Sequence, residues 1–232
     1  MLKLSVIIPV YNEEKTIKKV IDEVKEIKLK NIKKEIIVVD DFSTDNTGNV
    51  LKNIKDSSIK IFFHKINMGK GAAIRTGLKN CTGDIVLIQD ADLEYSPNEY
   101  GKLLKPILDN TAKVVYGSRI AAIRRNKKNM YKLHYFGNVF LTLMTNLLYG
   151  TKITDMETGY KVFRKKVIKD IKLRATRFDF EPEITAKILK KGYKIYEIPI
   201  SFVGRSFEEG KKINWLDGAK AAYYLIKYRF FD

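Results

Sequence analysis

The chain has 232 residues, 45% of them hydrophobic, with 44 lysines and arginines against 27 aspartates and glutamates for a net charge of +17. That length and apolar content suffice for one packed domain and exclude a chain that is disordered throughout. The charge favours a polyanionic partner: nucleic acid, an anionic membrane surface or a phosphorylated substrate. Cys81 is the only cysteine, so there is no intramolecular disulfide framework, a reducing compartment fits, and the thiol reads as buried and structural. His64 and His134, the only histidines, stand apart from other soft ligands and read as structural rather than zinc-binding.

The run Met1–Val10 is too short for a signal peptide and reads as a first buried strand, which keeps the protein in the cytoplasm. Further strands are expected near 35–40, 59–63, 84–90 and 112–117. Between them, Asn12 can cap a helix over roughly 13–29, Thr44 or Asp45 can start one near 45–54, Lys70 to Lys79 reads helical, and Pro97 suits the first position of a helix to Leu108. Apolar strands alternating with amphipathic helices predict an α/β fold with a mostly parallel central sheet. There is no internal repeat and no linker.

Ligands of such sheets collect beyond the carboxyl ends of the strands. There the sequence places Pro9-Val10-Tyr11-Asn12-Glu13, Asp40-Asp41-Phe42-Ser43-Thr44-Asp45, Asn67-Met68-Gly69-Lys70-Gly71 and Asp90-Ala91-Asp92-Leu93-Glu94. Each has a turn or cap explanation, but four on one rim point to a site. Side chains at i and i+2 of an extended chain point the same way, so Asp90 and Asp92 can lean toward one hard cation such as Mg2+ or Mn2+, with substrate phosphates completing its shell. Gly69-Lys70-Gly71-Ala72-Ala73 lacks both the phosphate-loop spacing and, with Ile74 in place, the third glycine of a dinucleotide fingerprint. Its small residues still permit close backbone approach, the helix after it offers N–H groups, and Lys70 brings positive charge to an anion.

The second half differs in texture. A basic stretch, Arg124-Arg125-Asn126-Lys127-Lys128, precedes the apolar segment Leu133 to Tyr149, interrupted by Asn138, Thr142 and Asn146. At roughly 25 Å as a helix it is short for a bilayer crossing. Trp215 to Phe231 mixes tyrosines and phenylalanines with Lys220, Lys227 and Arg229. Either segment suits a helix in a membrane interface or an ordinary core-packing helix.

Together the four rim motifs occur in the order and spacing of family 2 glycosyltransferases with the GT-A fold. Gly117-Ser118-Arg119, Asp155-x-x-Thr158-Gly159-Tyr160-x-x-Phe163 and Arg205-x-x-x-x-Gly210-Lys211-Lys212 extend the resemblance to the dolichyl-phosphate mannose synthase and polyprenyl-phosphate glycosyltransferase branch. The resemblance implies one GT-A catalytic domain over 1–232, with 1–118 binding nucleotide sugar and metal and 119–232 binding acceptor and membrane. It also implies that Pro9, Tyr11, Glu13, Asp40, Asp41, Lys70, Asp90, Ala91 and Asp92 bind the nucleotide sugar. Asp90 and Asp92 would hold Mg2+ or Mn2+, with Glu94 as candidate third ligand, and the ion would stabilise charge on the departing nucleoside diphosphate.

The implied acceptor is a dolichyl or other polyprenyl phosphate. A phosphate monoester with a second pKa near 6 is already largely dianionic at neutral pH, so no catalytic base is required. Guanidinium groups can bind and orient such a nucleophile, which makes Arg119 and Arg205, with Arg124 and Arg125, the candidates for the acceptor phosphate. Asp92, Arg119 and Arg205 are the expected catalytic residues, and Lys211 and Lys212 are candidates for a diphosphate or lipid contact. Asp155 and Thr158-Gly159 are expected to shape the acceptor side. The reading is an inverting, metal-dependent hexose transfer at the cytoplasmic membrane face, mannose from GDP-mannose first and glucose from UDP-glucose second. Many such relatives carry C-terminal transmembrane helices, whereas this chain ends at Asp232, so peripheral attachment or a separate membrane-anchoring subunit is expected.

Two other readings stay open. A family 2 transferase acting on a sugar hydroxyl would need a carboxylate base, and Asp155 or Glu157 would supply it. A nucleic-acid-binding module would explain the +17 but not the acidic rim, which repels a phosphate backbone, so no nucleic acid is expected as partner.

Overall fold

A computed structural model describes residues 1–123, 132–204 and 215–231, and side chains are described for all of these but 123, 132–134 and 215–217. Arg124, Arg125, Arg205, Lys211 and Lys212 lie outside the described residues, and His134 lies outside the described side chains.

The chain runs β1 (Leu2–Val10), α1 (Ile17–Glu26), β2 (Ile32–Asp40), α2 (Thr47–Lys52), β3 (Ile59–Phe63), α3 (Lys70–Asn80) and β4 (Ile85–Ile88). A 3-10 turn at Pro97–Glu99 leads into α4 (Tyr100–Leu108), then β5 (Val114–Ser118) and α5 (Arg119–Ile123). After α6 (Lys132–Tyr149) come β6 (Lys161–Arg164), α7 (Lys165–Lys169), α8 (Phe180–Lys190), β7 (Ile195–Pro199) and α9 (Trp215–Phe230). Among the described residues the strands form one sheet in the order β3-β2-β1-β4-β6-β5-β7. All neighbours are parallel except β6, which runs antiparallel to both β4 and β5.

The near-continuous apolar runs of β1, β2 and β4 follow from burial on both faces, as parallel sheets require. One core lies between the sheet and α1 and α4, through Val6, Ile8, Val38, Ile17, Val24 and Leu103. On the other face Ile7, Ile37, Val39 and Val86 pack against α3, where Gly77 lets the helix approach: a Cβ there would stand 2.4 Å from Ile7.

Three local expectations are corrected. Asn12 does not cap α1, whose first turn follows Thr16; Asn12 instead adopts φ +51° and binds Thr44 through both its amide oxygen and its amide nitrogen. Pro97 opens the 3-10 turn rather than α4 itself, with Ser96 Oγ accepting from the Asn98 N–H at 3.3 Å. The fourth strand stops at Ile88, so the chain turns before the acidic pair.

The apolar segment 133–149 is α6, and its polar interruptions face inward. Asn138 donates to Asp155 at 2.7 Å, Thr142 donates to Asn138 and accepts from the Met156 N–H, and Asn146 pairs with both backbone groups of Ile153. α6 packs on α9 around Leu141, Ala221 and Leu225. No described helix is long and apolar enough to cross a membrane.

Candidate active site

The loops after β1 and β2 are tied to each other. Asp40 Oδ1 accepts from the Ser43 N–H and hydroxyl, Ser43 Oγ accepts from the Asn12 N–H, and the Glu13 N–H donates to Thr47. Asp41 is 2% exposed, and its carboxylate accepts from the Met68 N–H at 2.9 Å, the Gly69 N–H at 2.6 Å and His64 Nδ1 at 2.7 Å. In this structure it therefore shapes the Gly69 loop, while His64, held also by Thr76, performs the structural task expected of it. Between the two aspartates and the turn, Phe42 stands exposed at φ +63°, a strained conformation for a bulky residue. Its aromatic face on the rim was not singled out in the sequence, where nothing local marks it apart from a core phenylalanine.

The Gly69 loop differs from expectation. The backbone that approaches Gly69 and Gly71 belongs to the protein: a Cβ at Gly69 would lie 2.4 Å from the Thr176 carbonyl oxygen, and one at Gly71 2.9 Å from that of Ala175. The Ala72 N–H donates to the same Thr176 carbonyl, so that amide at the start of α3 is already paired. Lys70 turns its ammonium to Asp90 Oδ1 at 2.9 Å and Glu181 Oε1 at 3.0 Å. Burial works against its charge, but the two carboxylates outweigh it and hold the ammonium firmly protonated.

The acidic pair sits on a turn, not on an extended strand end, so the same-side argument from a strand does not describe it. Asp92 Oδ1 accepts from the Glu94 N–H at 3.2 Å across Leu93, whose φ is +61°. Asp90 reaches inward to Lys70, and its other oxygen lies where a Cβ on Gly159 would be, 2.1 Å away. Below them Gln89 is fully buried and anchors the turn, its amide oxygen accepting from the hydroxyls of Tyr100 and Tyr160 and its amide nitrogen donating to the Asp90 and Tyr95 carbonyls. Among the described residues no three His, Cys, Asp or Glu side chains are gathered to hold a metal. The donor set on the turn is nonetheless all hard oxygen, and one or two carboxylates with substrate phosphates and water are what Mg2+ or Mn2+ takes. The residues fit such an ion in kind.

Because β6 is antiparallel, the loop before it arrives beside Asp90. That loop carries Asp155, which is fully buried and accepts from the Arg119 N–H, Nε and a terminal guanidinium nitrogen at 2.8–2.9 Å, and from Asn138. Arg119 also lies over the Phe202 ring, 5.3 Å from its centroid, and Phe202 in turn meets Tyr95. Burial opposes both charges, and each ion overcomes it for the other: Arg119 stays firmly protonated and the Asp155 pKa is lowered. Arg119 is thus held in place by Asp155 rather than solvated at the surface.

Sequence reasoning missed Glu181 and Lys161. Glu181 follows Phe180 in the first turn of α8 and grips Lys70; Lys161 is 1% exposed on β6, donates to the Met156 and Thr158 carbonyls and lies over the Tyr116 ring. Glu181 Oε2, Glu157 Oε1 and Thr158 Oγ1 are buried without a hydrogen-bond partner. Burial first, and then the charge of Glu181, push the Glu157 pKa upward. Glu181 joins the Glu157-Thr158 pair from a distant segment with no shared motif.

The sequence profile of Glycosyl transferase family 2 matches residues 5–172. The chain is 32% identical to the UDP-N-acetylglucosamine–dolichyl-phosphate N-acetylglucosaminyltransferase of Methanococcus voltae, over 95% of this chain and 93% of that protein. It is 31% identical to the dolichyl-phosphate beta-glucosyltransferase ALG5A of Trichomonas vaginalis, over 98% of this chain and 73% of that one. Its fold superposes on glucosyl-3-phosphoglycerate synthase from Mycobacterium tuberculosis, solved with Mn2+, UDP and glucosyl-3-phosphoglycerate, with a TM-score of 0.74 at 19% identity, covering 98% of this chain and 80% of that one. The α/β sheet with its acidic rim is thus a GT-A fold, and the chain belongs to glycosyltransferase family 2.

Proposed function

We propose that the chain transfers a sugar from a nucleoside-diphosphate donor to a dolichyl-type polyprenyl phosphate at the cytoplasmic face of a membrane. The observation that carries this reading is the Arg119–Asp155 pair. Asp155 is saturated by four donors and spent on holding the guanidinium, so this pair offers a fixed cation rather than a free base. An acceptor already carrying negative charge needs that cation to orient it, and no group to take its proton.

In the proposed mechanism Asp90 and Asp92, with Glu94 beside them, would hold Mg2+ or Mn2+, and the ion would supply stabilisation of negative charge on the departing diphosphate. Lys70 releases Asp90 and turns toward the diphosphate, retaining Glu181 as its second partner. Asp40, Asp41, Pro9, Tyr11 and Glu13 frame the nucleoside pocket, with the Phe42 ring offered to the base. Arg119 and, from outside the described residues, Arg205, Arg124 and Arg125 align the acceptor phosphate for in-line attack on the anomeric carbon, while Lys211 and Lys212 serve the diphosphate or the lipid surface.

A membrane-borne acceptor fits the outer faces of the two C-terminal helices. On α6, Phe136, Phe140, Leu143 and Leu147 form an exposed stripe at helical spacing; on α9, Tyr223, Ile226 and Phe230 do the same beside exposed Lys220, Lys227 and Arg229. Apolar side chains flanked by cations suit an anionic lipid interface.

The test is a matrix of UDP-N-acetylglucosamine, UDP-glucose and GDP-mannose against dolichyl phosphate in vesicles, with Mn2+ or Mg2+, reading labelled lipid. Although the family resemblance put mannose first, the two relatives described above carry N-acetylglucosamine and glucose in their names, which sets the order of donors tested. One donor should yield lipid-linked sugar, and Asp92→Asn should lower the rate by about 100-fold or more with the fold intact. A hydroxyl acceptor is the second reading, favoured by the raised pKa of Glu157, which suits a general base. Glu157→Gln separates the two: it spares transfer to a lipid phosphate and abolishes transfer to a hydroxyl.

A further inference from the structure

Four cations and no carboxylate surround a cavity far from the rim. It has a volume of about 260 Å³ and lies between the second half of α3, α7 and the chain that follows α7. Arg75 and Lys79 reach it from α3, and Lys165 and Lys169 from α7. Lys70, at the catalytic end of α3, is about 14 Å along the helix from Lys79.

The Arg75 guanidinium is the anomaly. Its Nε is buried, and the group makes no hydrogen bond or ion pair with the described residues. An Nε–H withdrawn from water without an acceptor is costly, and three further ammonium groups round the same cavity add repulsion. Among the described residues none of the three lysines is ion-paired; Lys165 donates only to the Cys81 carbonyl, at 2.9 Å. The carboxylate that bears on Cys81 is Glu35, which is already held by Lys3, Lys60, Ser5 and Thr82. The described residues supply no counter-charge.

The walls are apolar. Leu78, Val86, Ile168 and Ile171 line the space between the cations, and Cys81 closes its base, 7% exposed with its thiol donating to the Leu78 carbonyl. A hydrated inorganic ion would leave these walls wet. The volume lies just below the range of about 300–1,000 Å³ common for small-molecule pockets, which suits a short ligand.

We propose that this cavity is a second ligand site, separate from the sugar-transfer rim, that takes a phosphate monoester bearing a compact apolar group. The phosphate is gripped by Arg75 and Lys165 with Lys79 and Lys169 at the mouth, and the apolar group lies against Leu78, Val86 and Ile171. A free alkyl phosphate and the headgroup of a simple lipid phosphate share this chemistry.

Cys81 supplies the readout, since it is the single cysteine of the sequence and part of the cavity wall. The rate of its alkylation by a maleimide is measured with hexyl phosphate, inorganic phosphate, hexanol, and vesicles of phosphatidylcholine with or without phosphatidic acid. Hexyl phosphate should slow labelling at concentrations where inorganic phosphate and hexanol do not. Protection by phosphatidic acid vesicles as well assigns the site to a lipid headgroup; its absence assigns it to a soluble ester. Arg75→Gln and, independently, Lys165→Met should each weaken hexyl phosphate by about tenfold, the loss expected for one charge-assisted hydrogen bond. Equal protection by inorganic phosphate, no protection by hexyl phosphate, or undiminished protection in both folded variants would overturn the proposal.

Discussion

The two sides of the rim are held by different means. On the proposed donor side the rim carboxylates are fastened by nearby backbone: Asp41 by the amides of Met68 and Gly69, Asp40 by Ser43, Asp92 by the amide of Glu94. On the proposed acceptor side, and where it meets the donor side, the charges fasten one another, Arg119 to Asp155 and Lys70 to both Asp90 and Glu181. Backbone amides cannot leave, so the donor side is preformed. Ammonium and carboxylate groups can exchange partners, so the other side can respond to what binds.

That contrast can be broken by substitution. The largest effect is expected at Asp155→Asn, which leaves Arg119 buried with no counter-ion and should cost about 3–5 kcal/mol in urea unfolding, together with acceptor transfer. Asp41→Asn keeps an acceptor for the Gly69 loop and should cost less, about 1.5–3 kcal/mol. If Asp41→Asn proves the more damaging, the assignment of rigidity to the donor side and ion pairing to the acceptor side is wrong.

Lys70→Met tests the exchange itself. Removing the ammonium from Asp90 should tighten binding of Mn2+ to the protein without nucleotide by about tenfold, read by electron paramagnetic resonance, since one positive charge no longer competes for the carboxylate. The same variant should bind nucleoside diphosphate more weakly. Unchanged Mn2+ affinity in a folded variant would show that Lys70 does not guard Asp90.

A smaller effect sharpens the comparison away from the site. Glu35 is buried, which alone would raise its pKa, but Ser5, the Thr82 amide, Lys3 and Lys60 together hold it well below its ordinary 4.5. A depressed folded value means the stabilisation is complete above 4.5 and drains away as pH falls toward the folded value. Between pH 6 and pH 3 the parent should lose about 2 kcal/mol more stability than Glu35→Gln, measured as the shift in urea midpoint.

The proposed donor side was legible in the sequence because its residues stand where apolar runs end: Asp40-Asp41 at the end of β2, Asp90 two residues past β4. A strand that ends fixes where its next residues stand. The acceptor side was legible only as motifs, since Arg119 and Asp155 lie 36 residues apart and their pairing depends on an antiparallel strand that periodicity does not announce. Glu181 was invisible for the same reason, and the role of Asn138 could not be read because a polar residue in an apolar helix is only an interruption until its partner, Asp155, is known. The Gly69 loop misled in the opposite sense: small residues signalled a close approach correctly, but the visitor is the backbone of Thr176.

The reversed direction of β6 has one more consequence. In the parallel strands β1 to β4 the ligand-facing loop is the one that follows the strand, whereas β6 pairs Lys161 with Ile88 and so brings its preceding segment to the rim. On the proposed reading, donor and acceptor are then met by connections that share no residues. Lengthening or recasting 150–160 would alter what is glycosylated without disturbing the strands that carry the nucleotide, so one scaffold could change customers while keeping its supplier.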